Sequence, residues 1–186
     1  AEIFATAGSQ AKRDHLRSLG IRHVMNSRST EFAEEVLRIT GGRGVDMVLN
    51  SLAGEFIPKS LSALRAGGTF LEIGKADIWD PQRVAQVKQG VSYTAIALDR
   101  MVVEDPALVG SMLKGLVEKI EQGLLQPLPR RDFPLEEAVG AFRHMAQAKH
   151  IGKVVVTQPL ASPPSADQPP VSFGSSSPLL RADASY

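Results

Sequence analysis

The chain has 186 residues, room for one full domain and a remainder, and its 43% hydrophobic and 22% charged residues are those of a soluble globular protein. With 21 Lys+Arg against 20 Asp+Glu the net charge is +1, so no overall field draws DNA, RNA or anionic lipid, and nucleic acid is not an expected partner. Cysteine is absent, which excludes disulfides, thiol nucleophiles and Cys-ligated zinc and favours a reducing, cytoplasmic setting.

Glu2 to Thr6 reads as a strand, followed by a helix from about Gln10 to Leu19 with Leu16 and Leu19 on one face and Gly20 placed to end it. His23 to Asn26 is a short strand. Ser29 can cap a helix that turns Phe32, Val36, Leu37 and Ile39 inward, with Glu31 favourable in its first turn. After the Gly41-Gly42-Arg43-Gly44 turn, Val45 to Leu49 is a continuous apolar run, as in a strand covered on both faces. Ile57 to Leu64 is helical, Gly67 and Gly68 turn the chain, Thr69 to Ile73 is the next strand, and Val91 to Leu98 a further one. Pro106 opens a helix to about Gln122, Leu135 to Ala148 is another, and Val154 to Val156 closes the set. Strands alternating with helices predict an α/β fold, a Rossmann-like, doubly wound, mostly parallel sheet.

No apolar run approaches the roughly 18 residues of a membrane span, so neither a signal peptide nor an anchor is expected. The first residue is Ala rather than Met, which suggests a piece of a longer chain. The stretch from Pro159 differs from what precedes it: it holds six of the 12 prolines together with seven serines, and reads as a semi-rigid linker.

The turn Thr6-Ala7-Gly8-Ser9 joins a strand to a helix and is followed by Lys12 and Arg13, with Arg28 after the next strand. An acid at such a place takes the ribose 2′-OH of NAD, whereas cations accommodate the 2′-phosphate of NADP, and a helix N-terminus favours the same phosphate. A solvated surface helix accounts for the basic pair equally well. The pyrophosphate-binding GxGxxG is missing, so a dinucleotide domain would be incomplete at its N-terminus, with its first strand and glycine turn upstream of Ala1. Asn50-Ser51-Leu52-Ala53-Gly54 and Ile73-Gly74-Lys75 follow strands, at the ends where open α/β sheets bind ligands. Ordinary turns explain each separately, but Lys75 beside a crevice could donate a proton or hold an anion. His144 and His150 have a tolerable metal spacing without supporting ligands, so no metal is expected, and no G-x-S-x-G elbow is present.

Six blocks together, Ala5 to Ser9, His23 to Arg28, Thr40 to Asp46, Leu49 to Gly54, Leu71 to Lys75 and His150 to Val156, resemble the enoyl reductase domain of type I polyketide synthases. That family belongs to the zinc-free, quinone oxidoreductase-like branch of the medium-chain dehydrogenases/reductases, and the resemblance runs in order from Ala1 to about Thr157. It implies NADPH-dependent reduction of an enoyl thioester on an acyl carrier protein, with hydride passing to the β-carbon and a proton to the α-carbon. By resemblance Ser9, Lys12 and Arg28 serve the 2′-phosphate, in the turn that includes Thr6, Ala7 and Gly8. Asn50, Ser51, Leu52, Ile73 and Gly74 lie along the ribose and nicotinamide, Gly152 and Lys153 close over the cofactor, and Lys75 is the candidate proton donor as well as a cofactor contact. Ala97 stands where many relatives place an aspartate, and Asp99, two residues on, is a second catalytic candidate that could share its strand face. The expected organisation is a cofactor-binding part over 1–158, a linker over 159–179 and the start of a ketoreductase domain over 180–186, with the neighbouring synthase domains as partners. Two other readings stay open: a free-standing quinone reductase, whose chain should end near the last strand, and a non-catalytic spacer domain, suggested by Ala97 and the absent glycine loop.

Overall fold

The computed structural model describes residues 1–158. The expected linker and ketoreductase start lie outside the described residues. The chain divides into two compact units, Ala1–Gln126 and a second from Pro127 on.

The first unit alternates strands and helices: β1 (Phe4–Ala7), α1 (Gln10–Ser18), β2 (His23–Asn26), α2 (Phe32–Ile39), β3 (Val45–Asn50), α3 (Phe56–Ala63), β4 (Leu64–Glu72), α4 (Pro81–Val87), β5 (Ser92–Ala95), α5 (Leu98–Glu104) and α6 (Pro106–Glu121). Every pairing is parallel, as the βα alternation predicts. β1 pairs with β2, and separately β3, β4 and β5 form a sheet in that order. Helices α4 and α6 start where an aspartate and a proline direct them, whereas α2 starts after Glu31 without the side-chain cap expected from Ser29. Asp80 accepts the N–H groups of Gln82 (2.8 Å) and Arg83 (2.9 Å) ahead of Pro81, and Asp105 accepts that of Leu108 (2.9 Å) ahead of Pro106.

Two apolar clusters hold this unit. Ile57, Leu61, Leu64, Phe70, Trp79 and Val84 form one, with Val48 and Tyr93 against it. Met25, Phe32, Ala33, Val36 and Ala63 form the other, with Phe4 against it, and Val45 packs on both. Helices α2 and α3 therefore lie across both sheets, and each fully buried leucine contributes about 1.5–3 kcal/mol.

Several expectations need correction. β3 is not covered on both faces among the described residues: Val48 and Asn50 turn inward, while Met47 (58%) and Leu49 (65%) stay exposed. The strand β4 starts at Leu64, and the Gly67-Gly68 turn survives within it as a bulge, since Val45 is opposite Leu64 while Met47 is opposite Thr69. The last expected strand of this unit ends at Ala95 instead of Leu98, because the next segment carries a helix signal: Asp99 in the first turn, and an Arg100–Glu104 pair at 2.7 Å one turn apart.

The second unit is a parallel pair, β6 (Arg130–Pro134) and β7 (Lys153–Thr157), linked by a 3₁₀ turn (Leu135–Glu137) and α7 (Ala138–Ala146). The expected helix from Leu135 to Ala148 is shorter and opens as 3₁₀. β6 escapes notice in the sequence because Arg130, Arg131, Asp132 and Pro134 give it neither alternation nor an apolar run, and only Phe133 is buried.

Candidate active site at the strand ends

The first corner lies at the carboxyl ends of β1 and β2, paired up to Ala7 opposite Asn26. Ser27 N–H donates to the Ala7 carbonyl (3.3 Å), and Arg28 N–H donates to Asn26 Oδ1 (3.0 Å), a turn that an Asn side chain favours. Arg28 lies across Gly8: a Cβ there would stand 2.7 Å from Arg28 Nε, so a side chain at this position would push the guanidinium aside. Ser9 caps α1 by accepting Lys12 N–H at 3.3 Å. The two basic residues of α1 differ in their engagement. Arg13 is tied back to the Ala7 carbonyl (3.0 Å) and to Gln10 Oε1 (2.9 Å). The side chains of Lys12 and Arg28 have no hydrogen-bond or ion-pair partner among the described residues, and no acid occurs between Thr6 and Arg13.

The second corner lies at the carboxyl ends of β3 and β4. Asn50, 4% exposed, folds its own loop by donating from Nδ2 to the Leu52 carbonyl (2.7 Å) and accepting Leu52 N–H at Oδ1 (3.2 Å). Its carbonyl accepts Ile73 N–H (2.9 Å), which sets Ser51 and Leu52 beside Ile73 and Gly74. Beneath them is Glu72, 1% exposed, whose Oε2 accepts from Asn50 Nδ2 (2.6 Å) and whose Oε1 accepts from Gly74 N–H (2.6 Å). The sequence reading missed Glu72, although a lone acid inside the apolar run Thr69 to Ile73 is a signal in itself. Asp77 Oδ2 accepts Gly54 N–H (3.2 Å), joining the loops after β3 and β4.

Lys75 stands just past this corner, its Nζ 2.8 Å from Asp99 Oδ2, with both side chains more than half exposed. Asp99 does not share a strand face with Ala97; it lies in the first turn of α5, and the pairing with Lys75 comes from that helix. The Lys75 ammonium, donating to it, holds the Asp99 carboxyl below the ordinary aspartate range. A depressed carboxyl adds stability above its unfolded value that is lost as pH falls through its folded value, and for so exposed a pair that contribution is small. Replacing Lys75 by Met is expected to return the Asp99 titration to the ordinary range, read by carboxyl ¹³C NMR. An unchanged midpoint would show that the pair does not form in solution.

Within the second unit, Gly152 has φ +78°, and a Cβ there would overlap the Pro129 carbonyl, which also accepts Lys153 N–H (2.8 Å). The start of the β6–β7 pair thus explains this glycine, and Lys153 is exposed beside it. His144 and His150 have ring centroids 6.5 Å apart, and among the described residues no three potential metal ligands come together. The hollow bounded by Glu2, Ile3, Leu19 and Arg22 lies at the amino ends of β1 and β2, away from both corners.

A family model described as zinc-binding dehydrogenase matches residues 19–156. The chain belongs to the zinc-binding dehydrogenase family. Among this chain's relatives, the polyketide synthase GfsB of Streptomyces halstedii is 46% identical over 170 residues, 88% of this chain and 3% of that protein. The enoyl reductase CurK is 50% identical with a TM-score of 0.78, covering 86% of this chain and 48% of that one. The CurF cyclopropanase from the curacin A biosynthetic pathway is 45% identical with a TM-score of 0.80, covering 85% and 47%. The expected resemblance to polyketide synthase enoyl reductases therefore holds, and so does the α/β fold with parallel strands. The chain spans about half the length of these solved enzymes and a small part of the synthase.

Proposed function

We propose that this chain is the cofactor-binding part of a polyketide synthase enoyl reductase that uses NADPH to reduce an α,β-unsaturated acyl thioester presented by an acyl carrier protein, alongside neighbouring synthase domains. The observation that carries this reading is the pair of corners at the carboxyl ends of parallel strands, one cationic and free of acids, the other leading into Lys75.

The first corner fits the adenosine 2′-phosphate. Lys12 and Arg28 are cations without partners among the described residues, Gly8 leaves the backbone bare beneath Arg28, and the α1 amino end favours an anion. Thr6, Ala7 and Ser9 would line the same turn, while Arg13 keeps the turn in shape. At the second corner, Asn50, Ser51, Leu52, Ile73 and Gly74 would border the ribose and nicotinamide. Bound NADPH would supply a hydride to the β-carbon of the thioester, leaving an enolate that takes up a proton at its α-carbon. The Lys75 ammonium would give that proton. Asp99, held ionised, accepts from Lys75 and serves as its partner rather than as the donor at neutral pH.

Family membership alone does not choose the reaction, because a cyclopropanase shares this scaffold. The deciding assay uses an enoyl reductase domain that contains this chain, an enoyl thioester on its carrier protein, and mass spectrometry of the acyl chain alongside NADPH consumption. The expected product is saturated at the former double bond; a cyclopropane, or no turnover, would end the proposal. In the same domain Lys12→Ala is expected to weaken NADPH binding by about 1.5–3 kcal/mol, the worth of hydrogen bonds to a charged group. NADH should be unaffected, and equal weakening of both cofactors would remove Lys12 from the phosphate site.

A further inference from the structure

Glu72 is a fully buried carboxylate that the proposed reaction does not use. Burying a carboxylate in a strand whose neighbours are Phe70 and Leu71 is costly unless each oxygen is matched to a donor, and an apolar residue would fill the space without that cost. Here the matching is complete and local. Oε2 takes the Asn50 amide and Oε1 takes Gly74 N–H, each at 2.6 Å, while the Glu72 carbonyl accepts Ile96 N–H at 2.7 Å. One residue thus binds the end of β3, the backbone of the residue before Lys75, and the chain three residues before Asp99. Gly74 has no room for a side chain because of this carboxylate, since a Cβ there would stand 2.7 Å from Oε1.

We infer that Glu72 is a positioning residue, whose buried carboxylate clamps the corners that end β3 and β4 and thereby sets where the Lys75 ammonium reaches. This rests on the reading of Lys75 as proton donor. It acts through Lys75 and the loop backbones and touches neither cofactor nor substrate. The chemistry of the clamp is specific to a carboxylate, because both facing groups are N–H donors. Glutamine has the same shape, but its amide nitrogen must face either Asn50 Nδ2 or Gly74 N–H, donor against donor, so one of the two bonds is lost.

In an enoyl reductase domain that contains this chain, Glu72→Gln is expected to lower kcat about 10–100-fold, as misplacement of a reacting group by about 1 Å does. The KM for NADPH should change less than about threefold, because the 2′-phosphate corner is built from β1 and β2 and is left intact. Rates are taken per NADPH-binding equivalent, counted by fluorescence titration, so that partial unfolding lowers the count and not the rate. Combining Asn50→Asp with Glu72→Gln reverses donor and acceptor and should recover part of kcat, although the new carboxylate repels the Leu52 carbonyl. An unchanged kcat per binding equivalent overturns the inference, and so does a KM rise that matches or exceeds the fall in kcat. If Glu72→Gln does not fold, Glu72→Asp, which keeps the charge but is one methylene too short to hold both donors, decides by the same readouts. A wild-type domain that binds NADPH without reducing the thioester would instead end the underlying reading.

Discussion

Replacing Lys75 by alanine in an enoyl reductase domain that contains this chain is expected to lower kcat by about 10²–10⁴-fold, the usual contribution of a positioned proton donor. Its ammonium follows the buried corner directly, its one ionic partner among the described residues is Asp99, and both groups are open enough for a substrate to approach. The KM for NADPH should move little. Asp99→Asn is expected to have a smaller effect than Lys75→Ala, because it removes the partner and leaves the donor. Equal losses in the two variants would mean that the pair acts as a unit, and an unchanged kcat for Lys75→Ala, with cofactor affinity also unchanged, would make Lys75 a surface residue. Ala97 sharpens the comparison: with no carboxylate at that position, Asp99 on α5 is the acid that meets Lys75.

The parts of this molecule legible in the sequence are those in which local signals agree. β2 runs from His23 to Asn26 as expected, and α1 covers Gln10–Ser18, one residue short of the expected Leu19. Where two signals compete, the reading fails at the boundary. Val91 to Leu98 looks like one strand by its apolar content, yet the acid at 99 and the spacing of Arg100 and Glu104 win from Leu98 onward. β6 is a strand because Lys153–Thr157 pairs with it, and a long-range pairing leaves no mark on a charged five-residue segment. The candidate site shows the same division. Strand-end positions can be placed from periodicity, so Asn50 and Lys75 could be singled out. Which cation is already engaged depends on distances, and it is geometry that separates Arg13, bonded to Ala7 and Gln10, from Lys12. Glu72 is the extreme case, since its carboxylate meets the Asn50 amide, 22 residues away, only after folding.

The 186-residue chain expressed by itself is expected to melt over a broad range, to self-associate and to bind NADPH weakly. The physical cause is the division of its first unit into two sheets. β1 pairs only with β2, and β3 only with β4, so among the described residues one edge of β1 and one edge of β3 carry unpaired N–H and C=O groups. In the doubly wound order a first strand lies between the second and the fourth, the places that β1 and β3 take here, and the glycine turn after that strand supplies the N–H groups for a pyrophosphate. Two-stranded pairs are marginal in water, and open edges next to exposed apolar residues such as Met47 and Leu49 promote association. α2 and α3 hold the sheets together from one face, which is why the chain should collapse rather than stay unfolded. Adding an upstream βα unit with its glycine turn should sharpen the thermal transition, yield a single species in light scattering and tighten NADPH binding, all three in the same protein. Separate recovery would argue for unrelated causes. A monomeric 186-residue chain that melts cooperatively and binds NADPH at micromolar concentration would show that β1 and β3 need no strand between them.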